Sequence, residues 1–241
     1  NNNKLIHTYT KENVGLCTGT NLASKKATTN YILYTHDDMY FCPGWDVCLI
    51  NEINKINTKL FYFSGTMIQK DRGHINIDCG ETYKDFNEKK LLQNYNKIEF
   101  YDHQGSHWAP HLIHKDVWTK IGEFSDEFNP GFGSDPDLNM KLWKNGVRIF
   151  KGISKFRIYH FGSIVLRKKK GLKTNKGTRI FLLKWGITVN FFKRFYLKTG
   201  INYDGPLKEP KKNLVFCYFY ILCKMKFLIT KIHENLFSRQ N

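Results

Sequence analysis

Short apolar runs alternate along the chain with longer segments of mixed polarity, and this pattern predicts an α/β fold. The predicted strands are rich in aromatic and β-branched side chains, at residues 5–7, 31–34, 59–68, 147–150 and 157–160. The predicted helices lie at residues 18–27, 45–56, 116–121 and 134–145, and the second of them has the helical spacing of apolar residues. Because strands and helices alternate, we expect an α/β sheet.

The balance of charged residues changes after residue 165. Residues 1–165 hold 20 Lys and Arg against 18 Asp and Glu, whereas residues 166–241 hold 18 against 3, so the net charges are +2 and +15. The second part predicts two helices, at residues 179–197 and 214–232, and the apolar stretch 214–223 is too short to span a bilayer. We therefore expect a body followed by a basic helical extension that suits an anionic partner.

Composition narrows the class of protein further. Of the 241 residues, 41% are hydrophobic and 15% are aromatic, which excludes a disordered chain. The six cysteines show neither C-x-x-C nor zinc-site spacing, so we expect small buried side chains in a reducing compartment. Since no signal peptide is visible, we expect a cytoplasmic protein. The chain begins with Asn1 rather than Met, from which we expect its true N-terminus to be missing.

A pair of acidic residues closely follows the predicted strand 31–34. In open α/β sheets, ligands bind beyond the carboxyl ends of the strands, and Asp37 and Asp38 lie at such an end. Adjacent carboxylates repel each other unless a cation lies close, and their oxygen atoms suit Mg²⁺ or Mn²⁺. The pair therefore predicts a metal site that would bind a diphosphate, and the alternative is a solvated turn rich in Asp.

The neighbouring residues resemble the sequence of family 2 glycosyltransferases. Residues 31–45 resemble the strand, acidic triplet and proline-containing loop that hold the metal in that family, and residues 13–15 resemble its N-x-G turn. Farther along, residues 121–128 resemble its "iGgFde-f" segment and residues 133–138 resemble its acidic "E-D-x-D-L" segment. The resemblance covers about residues 4–162, and it implies the GT-A fold, a mixed nucleotide-sugar-binding sheet flanked by helices.

The resemblance also implies a role for each matched residue. Asp38 would be a metal ligand, and His160, which follows a strand, would complete the metal site. Asp37 and Asn21 would contact the donor, with Asp37 at its ribose. Asp135 would be the general base that takes a proton from the acceptor hydroxyl. Structural roles compete with these, because Asp135 with Ser134 and Pro136 also suits a capped helix start and a lone histidine is often structural.

Three departures from the family pattern stand out. His36 replaces the first acid of the triplet, which alters the metal or ribose contacts, and Ser134 stands where the family often has Glu. Nothing before Lys4 supplies the first β-α-β unit, which binds the nucleotide base in the family, so we expect a partial catalytic domain at residues 1–165 that binds its donor poorly. Trp108 is a candidate stacking platform for an acceptor sugar, with core packing as the alternative.

The resemblance implies an inverting glycosyltransferase that transfers a sugar from a nucleotide-diphosphate donor to a glycan or lipid-linked acceptor, with Mn²⁺ or Mg²⁺ as cofactor. A lipid-linked acceptor would suit docking of the basic extension, residues 166–241, on the cytoplasmic face of a membrane. The alternatives are an inactive sugar-binding module of the same fold, a metal-dependent phosphohydrolase and a nucleic-acid-binding protein. The phosphohydrolase would need more clustered ligands, and the basic extension lacks a recognisable nucleic-acid motif, so nucleic acid is not the expected partner.

Overall fold

The structure is a computed structural model that describes residues 5–105, 108–162 and 175–237. Its strands are β1 (Tyr31–Tyr34), β2 (Met39–Phe41), β3 (Phe61–Gln69), β4 (Ile75–Asn76), β5 (His103–Gln104), β6 (His111–His114) and β7 (Ile149–His160). Its helices are α1 (Gly15–Ser24), α2 (Trp45–Asn54), α3 (Glu88–Asn94), α4 (Lys115–Lys120), α5 (Ser134–Lys144), α6 (Asn175–Trp185), α7 (Val189–Phe191, continued as a π-helix over Phe192–Leu197) and α8 (Leu214–Phe237). A 3₁₀ turn, Asp126–Phe128, lies between α4 and α5.

The strands of the described residues form one mixed sheet in the order β1-β6-β3-β7-β2, with β4 beside β3 and β5 beside β7. β3 and β7 are parallel, whereas β6 is antiparallel to both β1 and β3, and β2 is antiparallel to β7. β1, β3 and β7 therefore run in the same direction. Their carboxyl ends meet at one edge of the sheet, which is where an open α/β sheet binds ligands.

The central strand β3 shows why the sheet carries a helical layer on each face. Residues 61–68 are all buried, although successive side chains point to opposite faces. Tyr62 packs into the larger core with the helices that follow β6, whereas Phe61 and Phe63 pack into a second core with Leu49 of α2. The sequence predicts this strand through its aromatic and apolar residues 61–63 and 67–68, although Ser64 and Thr66 are polar and buried.

The helices of the C-terminal part add buried side chains to the larger core. Phe181 of α6 and Phe192 of α7 are fully buried in the same cluster as Leu138 and Leu142 of α5. The predicted boundary at residue 165 lies outside the described residues. Within the described residues, no helix is both long enough and apolar enough to cross a membrane.

Four predicted elements differ from the structure. Residues 5–10 form no regular structure and Leu5 is 91% exposed, so the predicted strand at residues 5–7 is wrong. The strands predicted at residues 147–150 and 157–160 are the two ends of β7, because the polar middle of that strand hides its continuity. The single helix predicted at residues 179–197 breaks after α6, where Gly186 has a positive φ of 68°.

The six cysteines are free thiols. Cys17, Cys42, Cys79 and Cys223 are buried and behave as the small apolar side chains that the sequence predicts. Cys217 is exposed on α8 and does not fit that prediction.

The contribution of α6 to the core can be tested with Phe181→Ala. Removing a fully buried phenylalanine leaves a cavity, so we expect the free energy of unfolding to fall by about 3–5 kcal/mol in a urea titration. The matched control is Ile221→Ala on α8, where the side chain is 58% exposed and the expected change is within about 0.5 kcal/mol. Equal small effects of both substitutions would contradict the packing of α6 in the core.

Candidate active site

Strand pairing brings two distant parts of the chain together at the carboxyl end of β1. β2 pairs with the last residues of β7, so that Met39 lies opposite His160. The backbone N–H of Phe161 then donates to the carbonyl of Asp38 at 3.0 Å. These contacts hold the side chains of Asp38 and His160 beside each other, although 122 positions separate them in the chain.

His36, Asp38 and His160 form a cluster that could hold a metal ion. His160 Nε2 lies 3.2 Å from Asp38 Oδ2, and His36 Nδ1 lies 3.9 Å from Asp38 Oδ1. One ligand atom from each residue lies within 4.8 Å of the other two. Two imidazoles and one carboxylate are a suitable donor set for a first-row divalent metal with open positions for other ligands.

The ring nitrogen of each histidine that faces away from Asp38 has a polar neighbour, and these contacts hold both imidazoles in orientations that favour metal binding. Gln69 Oε1 lies 3.2 Å from His160 Nδ1, so a proton on Nδ1 leaves Nε2 free to coordinate. On the other side, the Tyr34 hydroxyl lies 2.7 Å from His36 Nε2. Burial lowers the pKa of His36 despite the opposing charge of Asp38, and a metal requires the neutral imidazole.

Asp135 lies on the first turn of α5, next to a buried histidine. Its Oδ1 is 3.7 Å from Nε2 of His111, which is fully buried at the start of β6. Burial raises the pKa of Asp135 to about 7, although 28% of its side chain remains exposed. The start of a helix favours a negative charge, so here burial outweighs the helix dipole. A carboxyl group that titrates near neutral pH is suited to proton transfer.

Tyr34 connects Asp135 with the metal cluster. It ends β1, its hydroxyl contacts His36, and its ring centroid lies 5.4 Å from that of His111. Burial raises the pKa of Tyr34, and the negative charges of Asp135 and Asp38 raise it further. Both carboxylates therefore act on the same phenol. The structure thus brings together the cluster and the predicted base.

The structure gives α5 a different cap from the predicted one. Gly133, with a φ of 87°, is the N-cap, and the hydroxyl of Ser134 donates backwards to the carbonyl of Gly131 at 2.7 Å. Ser134 was predicted to cap the helix, and that prediction is wrong. A glycine with positive φ turns the chain sharply into α5, which leaves Asp135 free of a capping role.

Asn21, a predicted donor contact, is engaged in holding the fold together. Its amide nitrogen donates to the carbonyl of Phe124 at 2.9 Å, and its amide oxygen accepts from the N–H of the same residue at 3.0 Å. Both ends of the amide therefore join α1 to the loop that follows α4. We assign Asn21 a structural role and omit it from the proposed site.

The other two predicted contacts are accessible to ligands. Asp37 is exposed in the turn between β1 and β2. Trp108 is 39% exposed, and its ring lies 5.5 Å from the ring of His74. Their roles at the donor ribose and at an acceptor sugar stay predictions.

The sequence did not identify all the residues of the site. In the family pattern His36 stands out as a replacement for an acid that alters the metal or ribose contacts, whereas nothing in that pattern marks Tyr34, Gln69 or His111. A histidine that opens a buried strand, as His111 does, was a signal in the sequence, because such a side chain needs a polar neighbour. Which neighbour it has depends on the pairing of β1 with β6, and the pattern along the chain does not give that pairing.

The mixed sheet, with its acidic turn after β1 and the cluster formed by the end of β7, defines a GT-A-like fold. The solved structure of GalNAc-T7 with UDP, GalNAc and Mn²⁺ is similar, with a TM-score of 0.53 and 13% sequence identity. The match covers 76% of this chain and 37% of that chain, so this chain spans well under half the length of its structural relative. At this identity, the likeness establishes the fold alone.

Two further comparisons found no relative. No protein-family model matches the chain. No match among curated proteins was found either. Membership of family 2 in particular therefore stays a prediction.

The metal cluster can be tested by measuring Mn²⁺ affinity in a calorimetric or electron paramagnetic resonance titration. Asp38→Asn should weaken binding more than about 100-fold, because it removes the anionic ligand, and Gln69→Ala should weaken it about tenfold by releasing His160. The control is Asp46→Asn, an exposed acid on α2, which should not change the affinity. Unchanged Mn²⁺ affinity in Asp38→Asn would exclude the cluster as the metal site.

Proposed function

We propose that this protein is a metal-dependent glycosyltransferase that transfers a sugar from a nucleoside-diphosphate donor to a hydroxyl group. The observation that carries this proposal is that Tyr34 contacts both His36 of the metal cluster and His111, the neighbour of Asp135. The metal cluster can hold a diphosphate through a cation, and Asp135 can accept a proton. The GT-A-like fold and the relative solved with UDP, GalNAc and Mn²⁺ support the same activity.

The donor set favours Mn²⁺ over Mg²⁺ as the metal. Mg²⁺ is bound mainly through oxygen, whereas Asp38 supplies the carboxylate and His36 and His160 supply nitrogen. The relative named above was solved with Mn²⁺. The bound ion would neutralise the charge that develops on the departing nucleoside diphosphate. Asp37, exposed in the same turn, would contact the ribose of the donor.

We further propose direct displacement with inversion, in which Asp135 is the general base. The acceptor oxygen bonds to the anomeric carbon as the bond from that carbon to the diphosphate oxygen breaks. The acceptor's proton passes to a carboxylate oxygen of Asp135, and the nucleoside diphosphate leaves with the bonding electrons. His111 Nε2 lies 3.7 Å from this carboxylate. Trp108 would stack against an acceptor glycan or lipid-linked sugar.

Asp135→Asn tests the proposed base. We expect nucleotide-sugar binding in the presence of Mn²⁺ to be retained and the rate of transfer to fall about 10²- to 10⁴-fold, the usual contribution of a general base. Donor binding is measured by thermal shift with UDP-sugars, and transfer by the release of nucleoside diphosphate. Normal transfer in this variant would show that Asp135 is not the base.

Asp137→Asn is the matched control, because this residue lies one position past Pro136 on the same helix. Asp137 is fully buried, and it accepts from Ser125 at 2.7 Å and from Trp185 at 2.8 Å. It also pairs with Lys184 at 3.0 Å, so the amide should reduce stability by about 3 kcal/mol. Asp135→Asn should not reduce the stability at pH 8. An acid whose pKa is raised on folding destabilises the folded state increasingly as the pH rises from about 4 to about 7, and fully above about 7, and the amide removes this cost.

The raised pKa of Asp135 predicts the pH dependence of transfer. The carboxyl group carries a proton below about pH 7 and cannot accept another, so kcat/KM should rise with pH and level off above about 7. The profile is measured from pH 5.5 to 8.5 at saturating Mn²⁺. A profile that is flat across this range, or that falls as pH rises, would contradict the assignment.

A further inference from the structure

α8 exposes an apolar face along its whole length. This outer face consists of residues that are each at least 54% exposed: Leu214, Tyr218, Ile221, Met225, Leu228, Ile229, Ile232 and Leu236. A helix of 24 residues is about 36 Å long, so the face is a continuous strip rather than a scatter of single side chains. Apolar patches of this extent on a protein surface mark a site of interaction.

Packing of the opposite side fixes the rotation of α8. Phe216 and Cys223 are 6% and 5% exposed, and both belong to the larger core. The ring of Phe216 lies 5.0 Å from the ring of Phe191 and 5.2 Å from that of Phe195, both on α7. Because the inner side is held by these rings, the outer face cannot turn inward, and its burial requires a partner.

The charges around the outer face are positive. Lys224 and Lys231 lie along one border of the strip and Lys226 lies along the other. Glu234, the only acidic residue in the sequence of α8, points inward, where it pairs with Arg179 of α6 at 3.1 Å. The partner surface is therefore expected to be apolar in the middle and anionic at its border.

The lysines just before α8 extend the same charge. Between residues 208 and 236 the chain has six lysines and two glutamates. One of these glutamates, Glu209, is paired with Arg148 at 2.5 Å, and the other is Glu234. The carboxylates thus have cationic partners of their own and leave the positive field of the lysines uncompensated.

A cavity beside α8 has the same combination of apolar and cationic groups. It measures about 210 Å³ and lies between α7 and α8, lined by Phe195, Phe219, Leu222 and other residues. Arg194 and Lys226 also line it, and the guanidinium of Arg194 lies 4.5 Å from the centre of the Phe219 ring. Rings beside two cations would accommodate part of an acyl chain together with a phosphate.

A second copy of the chain fits the outer face less well. Six of its residues alternate in spacings of four and three, as in a coiled coil: Leu214, Tyr218, Ile221, Met225, Leu228 and Ile232. However, Ile229 and Leu236 widen the strip beyond a coiled-coil seam. A paired helix would also bring the lysines of the border, Lys224 and Lys231, towards those of its copy with no acid to offset them.

We propose that the outer face of α8 docks on an anionic phospholipid surface, with the helix lying in the plane of the interface. The apolar strip enters the boundary between head groups and acyl chains, and the bordering lysines contact lipid phosphates. Long lysine side chains can reach the head groups from such a border. This docking does not depend on the metal cluster and is a separate property of the chain.

The test is sedimentation of the full chain with two kinds of vesicle. One consists of phosphatidylcholine alone, and the other contains about 30% phosphatidylglycerol in phosphatidylcholine. We expect binding to the anionic vesicles to be at least tenfold stronger. Lys226→Gln with Lys231→Gln should weaken it about 30-fold, since each lysine near an anionic surface contributes about fivefold. Ile221→Ser with Met225→Ser and Ile232→Ser should weaken it at least as much.

The control is Lys25→Gln with Lys97→Gln, which changes two exposed lysines outside α8 and should alter binding less than twofold. Thermal melts of all variants confirm folding, and the changed side chains are exposed. Equal binding to neutral vesicles, equal loss in the control, or no binding to either vesicle would overturn the proposal. Self-association that is lost in the serine variant, without affinity for vesicles, would instead assign the face to a second copy.

Discussion

The antiparallel pairing of β2 with the end of β7 is the constraint on which the candidate site depends. It places Met39 opposite His160 and so brings the turn after β1 against the last residue of a strand more than 100 positions away. The position of β7 is in turn set by its long parallel pairing with β3, which shifts register between Gly65 and Thr66. Gly65 permits this, because a β-carbon there would lie only 3.0 Å from the carbonyl oxygen of Phe156.

Two acidic residues near the start of α5, Asp135 and Asp137, have different roles because their surroundings differ. Asp137 accepts two hydrogen bonds and pairs with Lys184, so its charge is compensated and its atoms are occupied. Asp135 has the neighbouring imidazole of His111 and an open edge, and burial raises its pKa. Breaking the interactions of a compensated buried charge destabilises a fold, whereas a carboxyl group poised near neutral pH can exchange a proton.

Local pattern was enough to predict much of the fold and part of the site. β3 is buried on both faces and begins with three aromatic residues, and Asp38 follows the short aromatic and β-branched strand β1, so both could be recognised from neighbouring residues. The role of Asn21 could not, because its hydrogen bonds reach Phe124, 103 positions away. For the same reason the contacts of Tyr34 with His111 could not be predicted, since they depend on which strands become neighbours.

The helices of the C-terminal part help to position the candidate site and also form part of the protein surface. Gly177 of α6 touches the turn before α5 so closely that a β-carbon on it would collide with the carbonyl oxygen of Phe132. Trp185, at the other end of α6, donates to Asp137 at 2.8 Å. α6 therefore contacts the segment that carries Asp135 at two points, while α8 packs on α7 through Phe216 and Phe191. Because these contacts run without a break from the exposed strip on α8 to the first turn of α5, the charge-bearing helices cannot be treated as an independent appendage.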